Sequence, residues 1–170
     1  EIQAKRYKSY HRIVDDDSVV AHCPDSQASW SLRGGNNQSL NLCFTAWARW
    51  MRGEWLAHYG MLARGAVEVA QWCRHYQIPI RHLTPAQVEA GERGIIGHRD
   101  YTLGTGDGTH VDPGEYYPWD VFLALVANAG DAGTHRGDDD MTPEQAKQLA
   151  TIYHEVTQRL PSRSQYAGPQ

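Results

Sequence analysis

Gly97-His98-Arg99-Asp100, Thr109-His110-Val111-Asp112-Pro113-Gly114 and Tyr117-Pro118-Trp119-Asp120 follow one another in a single short stretch of the chain. The stretch puts two histidines and an aspartate on one loop, closed by a Pro-Gly turn just before an apolar helix. Imidazole nitrogen and carboxylate oxygen are ligand types that zinc accepts, and a hydrolytic zinc keeps one position open for water. A short strand over residues 94–97 is expected to deliver His98, and the loop to return Asp112 to the same place. The Asp-Pro-Gly turn aims the Asp112 side chain inward while the proline ring fixes φ. A histidine beside Arg-Asp, taken alone, more often bridges a strand end to solvent. The nearby carboxylate shifts the reading to a metal role for His98 and Asp112. His110, two residues before Asp112, faces the same side if the backbone is extended. It is either a ligand itself, a charged imidazole that stabilises the oxyanion formed when water attacks an amide, or a solvated loop histidine.

Working outward, residues 8–14 read as a strand, Asp15-Asp16-Asp17 as a turn and 19–22 as the returning strand of a hairpin. Residues 31–37 read as a loop whose Gly34-Gly35-Asn36-Asn37 tolerate positive φ, and 40–45 as a short strand covered on both faces. Apolar residues recur at helical spacing over 54–76, which predicts one long amphipathic helix stopped by Ile78-Pro79. Thr84 caps a short helix with Pro85 at its first position, and 118–128 forms a closing helix. Strands interleaved with helices give an α/β fold, a mixed central sheet flanked by helices. The catalytic domain is expected over 1–128, a Gly- and Asp-rich linker over 129–140, and a terminal helix and tail over 141–170, with Thr142 as N-cap.

Composition excludes several partner classes. The net charge of −4, with no basic run, argues against nucleic acid. No window approaches the roughly 18 apolar residues of a membrane span, so no membrane partner is expected. The three cysteines lack CxxC spacing and read as buried free thiols rather than a disulfide framework or a cysteine zinc cluster. No signal peptide is visible: residues 1–8 are polar, without an apolar core.

Other candidates divide between chemistry and packing. Tyr10 and His11 are neighbours on the first strand and face opposite sides, so only one reaches the site, and a strand tyrosine is more often core. His22 and His82 read as packed or edge histidines, and His58, His75 and His135 as surface. Trp30, Trp47, Trp50 and Trp55 either floor a groove for a sugar or peptide or belong to the core.

These motifs resemble the zinc-dependent N-acetylmuramoyl-L-alanine amidases of the amidase-2 type, a family that includes phage endolysins and shares its fold with peptidoglycan recognition proteins. Ser9-Tyr10-His11-Arg12-Ile13-Val14 resembles the family's "SYHYVID" strand and Asn36-Asn37-Gln38-Ser39-Leu40-Asn41-Leu42 its "NNxSIGI". Gly97-His98-Arg99-Asp100 resembles "GHRD", His110-Val111-Asp112-Pro113-Gly114 resembles "KTDPG" or "HTDPG", and Tyr117-Pro118-Trp119-Asp120 resembles "FPWD". The match runs over about 8–128. Ala28-Ser29-Trp30-Ser31, Leu42-Cys43-Phe44 and Met141-Thr142-Pro143-Glu144-Gln145 resemble actinobacteriophage endolysins in particular.

The resemblance implies that His98 and Asp112 are the second and third zinc ligands and that a first ligand histidine lies upstream of Glu1. It implies that His110 polarises the scissile carbonyl, that Tyr10 assists catalysis, and that Trp30 and Asn37 meet substrate. Cys43 falls where some members carry a catalytic glutamate, a departure that leaves the proton acceptor undefined. His22, in Val20-Ala21-His22-Cys23, superficially resembles a ligand strand but follows "SYH" instead of preceding it. The implied partner is bacterial peptidoglycan and the implied reaction is cleavage of the N-acetylmuramoyl-L-alanine amide. The enzyme would be made in a host cytoplasm and act on the cell wall during lysis. Two other readings remain: a non-catalytic peptidoglycan-binding module, favoured by the missing ligand and Cys43, and a zinc hydrolase of some other amide.

Overall fold

A computed structural model describes residues 8–132, which fall within the first of two units, Glu1–His135 and Arg136–Gln170. The expected linker beyond 132 and the helix expected from 141 lie outside the described residues.

Three short strands form the sheet: β1 (Arg12–Val14), β2 (Val19–Ala21) and β3 (Leu42–Phe44). β1 is central, antiparallel to β2 and parallel to β3, so the sheet is mixed as expected. The turn between β1 and β2 is held by the Asp15 carboxylate, which accepts the amides of Asp17 (2.9 Å) and Ser18 (2.6 Å). β1 is shorter than the strand expected over 8–14. A bend at His11 ends it, and the His11 ring turns into the interior, 1 % exposed. There its Nδ1 accepts the Asn41 amide (2.9 Å), which leaves Nε2–H to donate to the Gln27 carbonyl (2.9 Å). His11 is thus a satisfied structural histidine, and it meets Trp72 edge-on.

The register pairs Arg12 with Leu42, Ile13 with Cys43 and Val14 with Phe44. Side chains alternate across a strand, so Arg12, Val14 and Phe44 share one face and Cys43 takes the other. The first face meets a helical layer. Arg12 reaches Glu68 (2.7 Å) and Asp25 (2.9 Å), while Phe44 packs so closely on Gly65 that a Cβ there would lie 2.6 Å from its ring.

The helix expected over 54–76 is two helices, α1 (Arg52–Ala57) and α2 (Tyr59–Tyr76), broken at His58, whose backbone (φ −101°, ψ 41°) leaves the helical region. His58 is only half-exposed there, since its ring stacks on Trp50 (4.5 Å, 7°) and its Nδ1 meets Asp16 at 2.5 Å. α2 ends one residue before Ile78-Pro79, with Gln77 in the left-handed conformation (φ 53°), so a C-cap rather than the proline closes it. Thr84 caps α3 (Pro85–Glu89) as expected, accepting the Gln87 amide. α4 (His98–Thr105) and α5 (Trp119–Ala132) complete the domain, α5 running through the first residues assigned to the linker.

Met61, Leu62, Ala66, Ala70 and Cys73 of α2 meet Phe122, Leu125 and Val126 of α5, with Trp55, Val14 and Tyr117 beside them. Trp55 therefore belongs to the core, Trp50 lies half-buried against it, and Trp30 and Trp47 are exposed. Of the three thiols only Cys73 is buried; Cys23 and Cys43 are partly exposed. Among the described residues no helix is long and apolar enough to cross a membrane.

Candidate metal centre

Residues 94–97 are not a strand. A single bridge pairs Ile95 with His82, and the chain then enters α4 with Gly97 as N-cap and His98 as the first helical residue. The Asp100 carboxylate, three residues on, accepts the Gly97 amide (2.7 Å) and satisfies one of the donors that a helix start leaves unpaired. Anchoring His98 in a helical turn is a firmer placement than the loop expected from sequence.

α4 ends at Gly106, and residues 106–114 return the chain to its N-terminus. There the Arg99 amide donates to the Asp112 carbonyl (2.9 Å), tying the returning loop to the first turn of α4. The approach is close enough that a Cβ at Gly97 would stand 2.5 Å from Pro113 Cδ. At its far end the loop is held by Asp107, which accepts from Arg33 (3.2 Å) and the Gly34 amide (3.1 Å) of the 3-10 helix Arg33–Gln38. The positive φ in that segment falls on Arg33 (52°), not on the Gly-Gly-Asn-Asn residues expected to take it. Gly114 closes the turn at φ 108°, its α-carbon facing the Ala48 carbonyl, which a Cβ would approach to 1.9 Å. Gly114→Ala combines an unfavourable φ with a backbone clash, so it is expected to destabilise the domain by about 2 kcal/mol or more, read from urea unfolding midpoints.

The two anchorages bring His98, His110 and Asp112 together, one donor atom of each lying within 4.8 Å of the others. Asp112 Oδ2 is 3.5 Å from His98 Nδ1 and its Oδ1 is 3.6 Å from His110 Nδ1. The imidazoles stack at 3.9 Å and 13°. The His98 side chain is 10 % exposed, whereas those of His110 (37 %) and Asp112 (57 %) open to solvent. His98 Nε2 is buried without a hydrogen-bond partner, so neither nitrogen of this ring is fully engaged by protein. Two imidazoles and a carboxylate with free lone pairs suit zinc.

Burial opposes the charge on Asp112, but the His98 hydrogen bond and charge, a backbone amide and His110 outweigh it and hold the carboxyl below its usual range. Burial, and then the neighbouring His98, push the His110 imidazole down against the pull of Asp112. That direction favours the neutral ring over the charged imidazole, one of the three readings open from sequence.

Tyr10 and Cys43 share the site side of the sheet. Burial, then the Cys43 thiol and the Asp112 charge, raise the Tyr10 hydroxyl. Burial and Asp112 raise Cys43, only partly offset by Tyr10. Both stay protonated at neutral pH, so Cys43 is not a base replacing a glutamate. Trp30 lies next to this edge, its amide bonded to Ser9 Oγ (2.8 Å), and Asn37 is exposed on the 3-10 helix that holds Asp107. His22 stays at the exposed edge, where its Nδ1 meets the Tyr10 amide at 3.4 Å.

His82, expected as a packed or edge histidine, is packed, and it also supports the site. His82 Nε2 bonds Asp100 Oδ2 (2.8 Å), the same oxygen that caps α4, and its ring stacks on Trp119 (3.9 Å, 14°). The Ile95 bridge fixes its position. The aspartate of Gly-His-Arg-Asp was the available signal, since a cap buried to 14 % exposure wants a second partner. His82→Ala is expected to lower domain stability by about 1–2 kcal/mol, measured by chemical unfolding of the metal-free protein.

Residues 1–115 match the family model described as Amidase_2: N-acetylmuramoyl-L-alanine amidase. Among solved structures the chain is similar to the Staphylococcus aureus hydrolase AmiA in complex with its ligand, with a TM-score of 0.58 and 18% sequence identity. That match covers 75% of this chain and 60% of the other, so the chain spans about three-fifths of that protein's length. The likeness bears on the fold, and supports the mixed α/β architecture. No curated protein matches the chain.

Proposed function

The chain belongs to the N-acetylmuramoyl-L-alanine amidase family, and from that membership we propose that it is a zinc-dependent hydrolase of bacterial peptidoglycan. Its bond would be the amide between the lactyl group of N-acetylmuramic acid and the L-alanine of the stem peptide. The observation that carries the reading is the convergence of His98, His110 and Asp112 at one point of the surface. His98 and Asp112 would hold the zinc, and a histidine preceding Glu1, which the family resemblance implies, would add a ligand. Zinc, when bound, supplies Lewis acidity toward the scissile carbonyl and lowers the pKa of water.

The remaining chemistry belongs to side chains. His110, neutral and partly exposed, offers an N–H to the oxygen on which charge develops. Tyr10, protonated and beside Asp112, orients substrate or donates a second hydrogen bond. Trp30 and Asn37 are the proposed substrate contacts. The biological role we favour is lysis of a bacterial host's wall by an endolysin made in the host cytoplasm, on the strength of the motif resemblance.

Incubating the protein, with any segment that precedes Glu1 in its natural chain, with purified peptidoglycan tests the reaction. Free stem peptides beginning with L-alanine should appear in the mass spectrum and vanish with a chelator. Cleavage elsewhere, or none, would overturn the assignment. Cys43, in place of a carboxylate, favours a second reading, a peptidoglycan-binding module without catalysis. That reading expects wall binding with neither zinc nor released peptide.

A further inference from the structure

We propose that Thr102 is a positioning residue for His98. Its hydroxyl accepts the His98 Nε2–H through one ordered water, and so fixes the tautomer that leaves Nδ1 free to bind a metal. The proposal rests on the reading of His98 as a ligand.

Among the described residues, His98 Nε2 and Thr102 Oγ1 are two of four buried side-chain polar atoms without a hydrogen-bond partner. They stand on the same helix, α4, one turn apart. Side chains four residues apart on a helix are neighbours, and each leans toward the helix N-terminus. The Thr102 hydroxyl therefore lies over the turn that carries His98. A helical threonine commonly gives its hydroxyl to the carbonyl four residues back. Thr105, on the same helix, does this with Tyr101 at 2.7 Å. Thr102 does not, and its oxygen is left with unused capacity.

The chemistry of the other nitrogen sets the direction. His98 Nδ1 faces Asp112 at 3.5 Å, so a metal shared with Asp112 needs the lone pair on Nδ1. The ring proton must then sit on Nε2, buried, where it needs an acceptor. His110 cannot supply one, because it lies over the face of the ring and not at its edge. Two orphaned buried atoms, a donor and an acceptor on adjacent turns and not bonded to each other directly, are satisfied together by one bridging water.

Thr102→Val removes the acceptor at nearly constant volume. Competition against a chromogenic chelator should show zinc affinity reduced about 10- to 100-fold, and Thr102→Ser should restore it. In nitrogen-15 spectra of the zinc-loaded protein, the His98 Nε2–H should be protected from exchange in the parent and Thr102→Ser and exposed in Thr102→Val. Should Thr102→Val fail to fold, Thr102→Ala carries the same comparison. A parent-like affinity with Nε2–H still protected in the variant overturns the role of Thr102. A parent protein that takes up no zinc overturns the ligand reading beneath it, and is recognisable before any variant is made.

Discussion

His98→Ala should leave the protein without zinc and bring amide hydrolysis to background, a loss of roughly 10³-fold or more. The size follows from the several kcal/mol that a metal supplies to a charged transition state, at about 1.4 kcal/mol per factor of ten. His98 is the most buried of the three donors and the one whose position α4 dictates, so neither loop adjustment nor solvent can replace it. Asp112→Asn should come close to the same result, because the amide keeps the shape but loses the ionised oxygen held below its usual pKa. The decisive measurement is thermal unfolding with and without zinc. A ligand that binds only the folded state stabilises it by about 2.7 kcal/mol at a hundredfold excess over Kd. That increment should vanish in both variants. An His98→Ala protein that still gains stability from zinc would place the metal elsewhere.

The candidate site is legible in sequence because its residues are close along the chain and are set by punctuation that sequence displays. Asp112-Pro113-Gly114 announces a turn, and Gly114 at φ 108° shows why only glycine suits it. What sequence misread was the element under His98. A short run of Gly-Ile-Ile-Gly looks like a strand, yet only one bridge forms, because Asp100 caps a helix that begins at the histidine itself. The same limit applies to α1 and α2. Apolar spacing runs on through His58, and nothing in that pattern records that a Trp50 stack and the Asp16 carboxylate hold the break. Long-range partners, such as His82 with Asp100, leave no periodic trace. Tyr10 lies near Cys43 while the His11 ring turns into the interior, and a bend at His11, outside the strand, separates them.

His110→Ala should retain zinc and lose roughly 10²-fold or more in turnover, as removal of an oxyanion donor does elsewhere. Its ring is near enough to Asp112 to serve as a third ligand (3.6 Å), so proximity does not decide its role. Exposure and charge do. The His110 side chain is more than three times as exposed as that of His98, and burial, then His98, hold its imidazole below the usual pKa against the pull of Asp112. A neutral imidazole offers one N–H without the desolvation cost of a buried cation, which suits a donor that meets charge only in the transition state. Loss of that donor lowers kcat and kcat/KM together, because the interaction is absent from the ground state. Parallel metal analysis and steady-state kinetics therefore separate the two roles. If zinc leaves along with activity in His110→Ala, the imidazole is a ligand and the oxyanion donor must be sought at Tyr10.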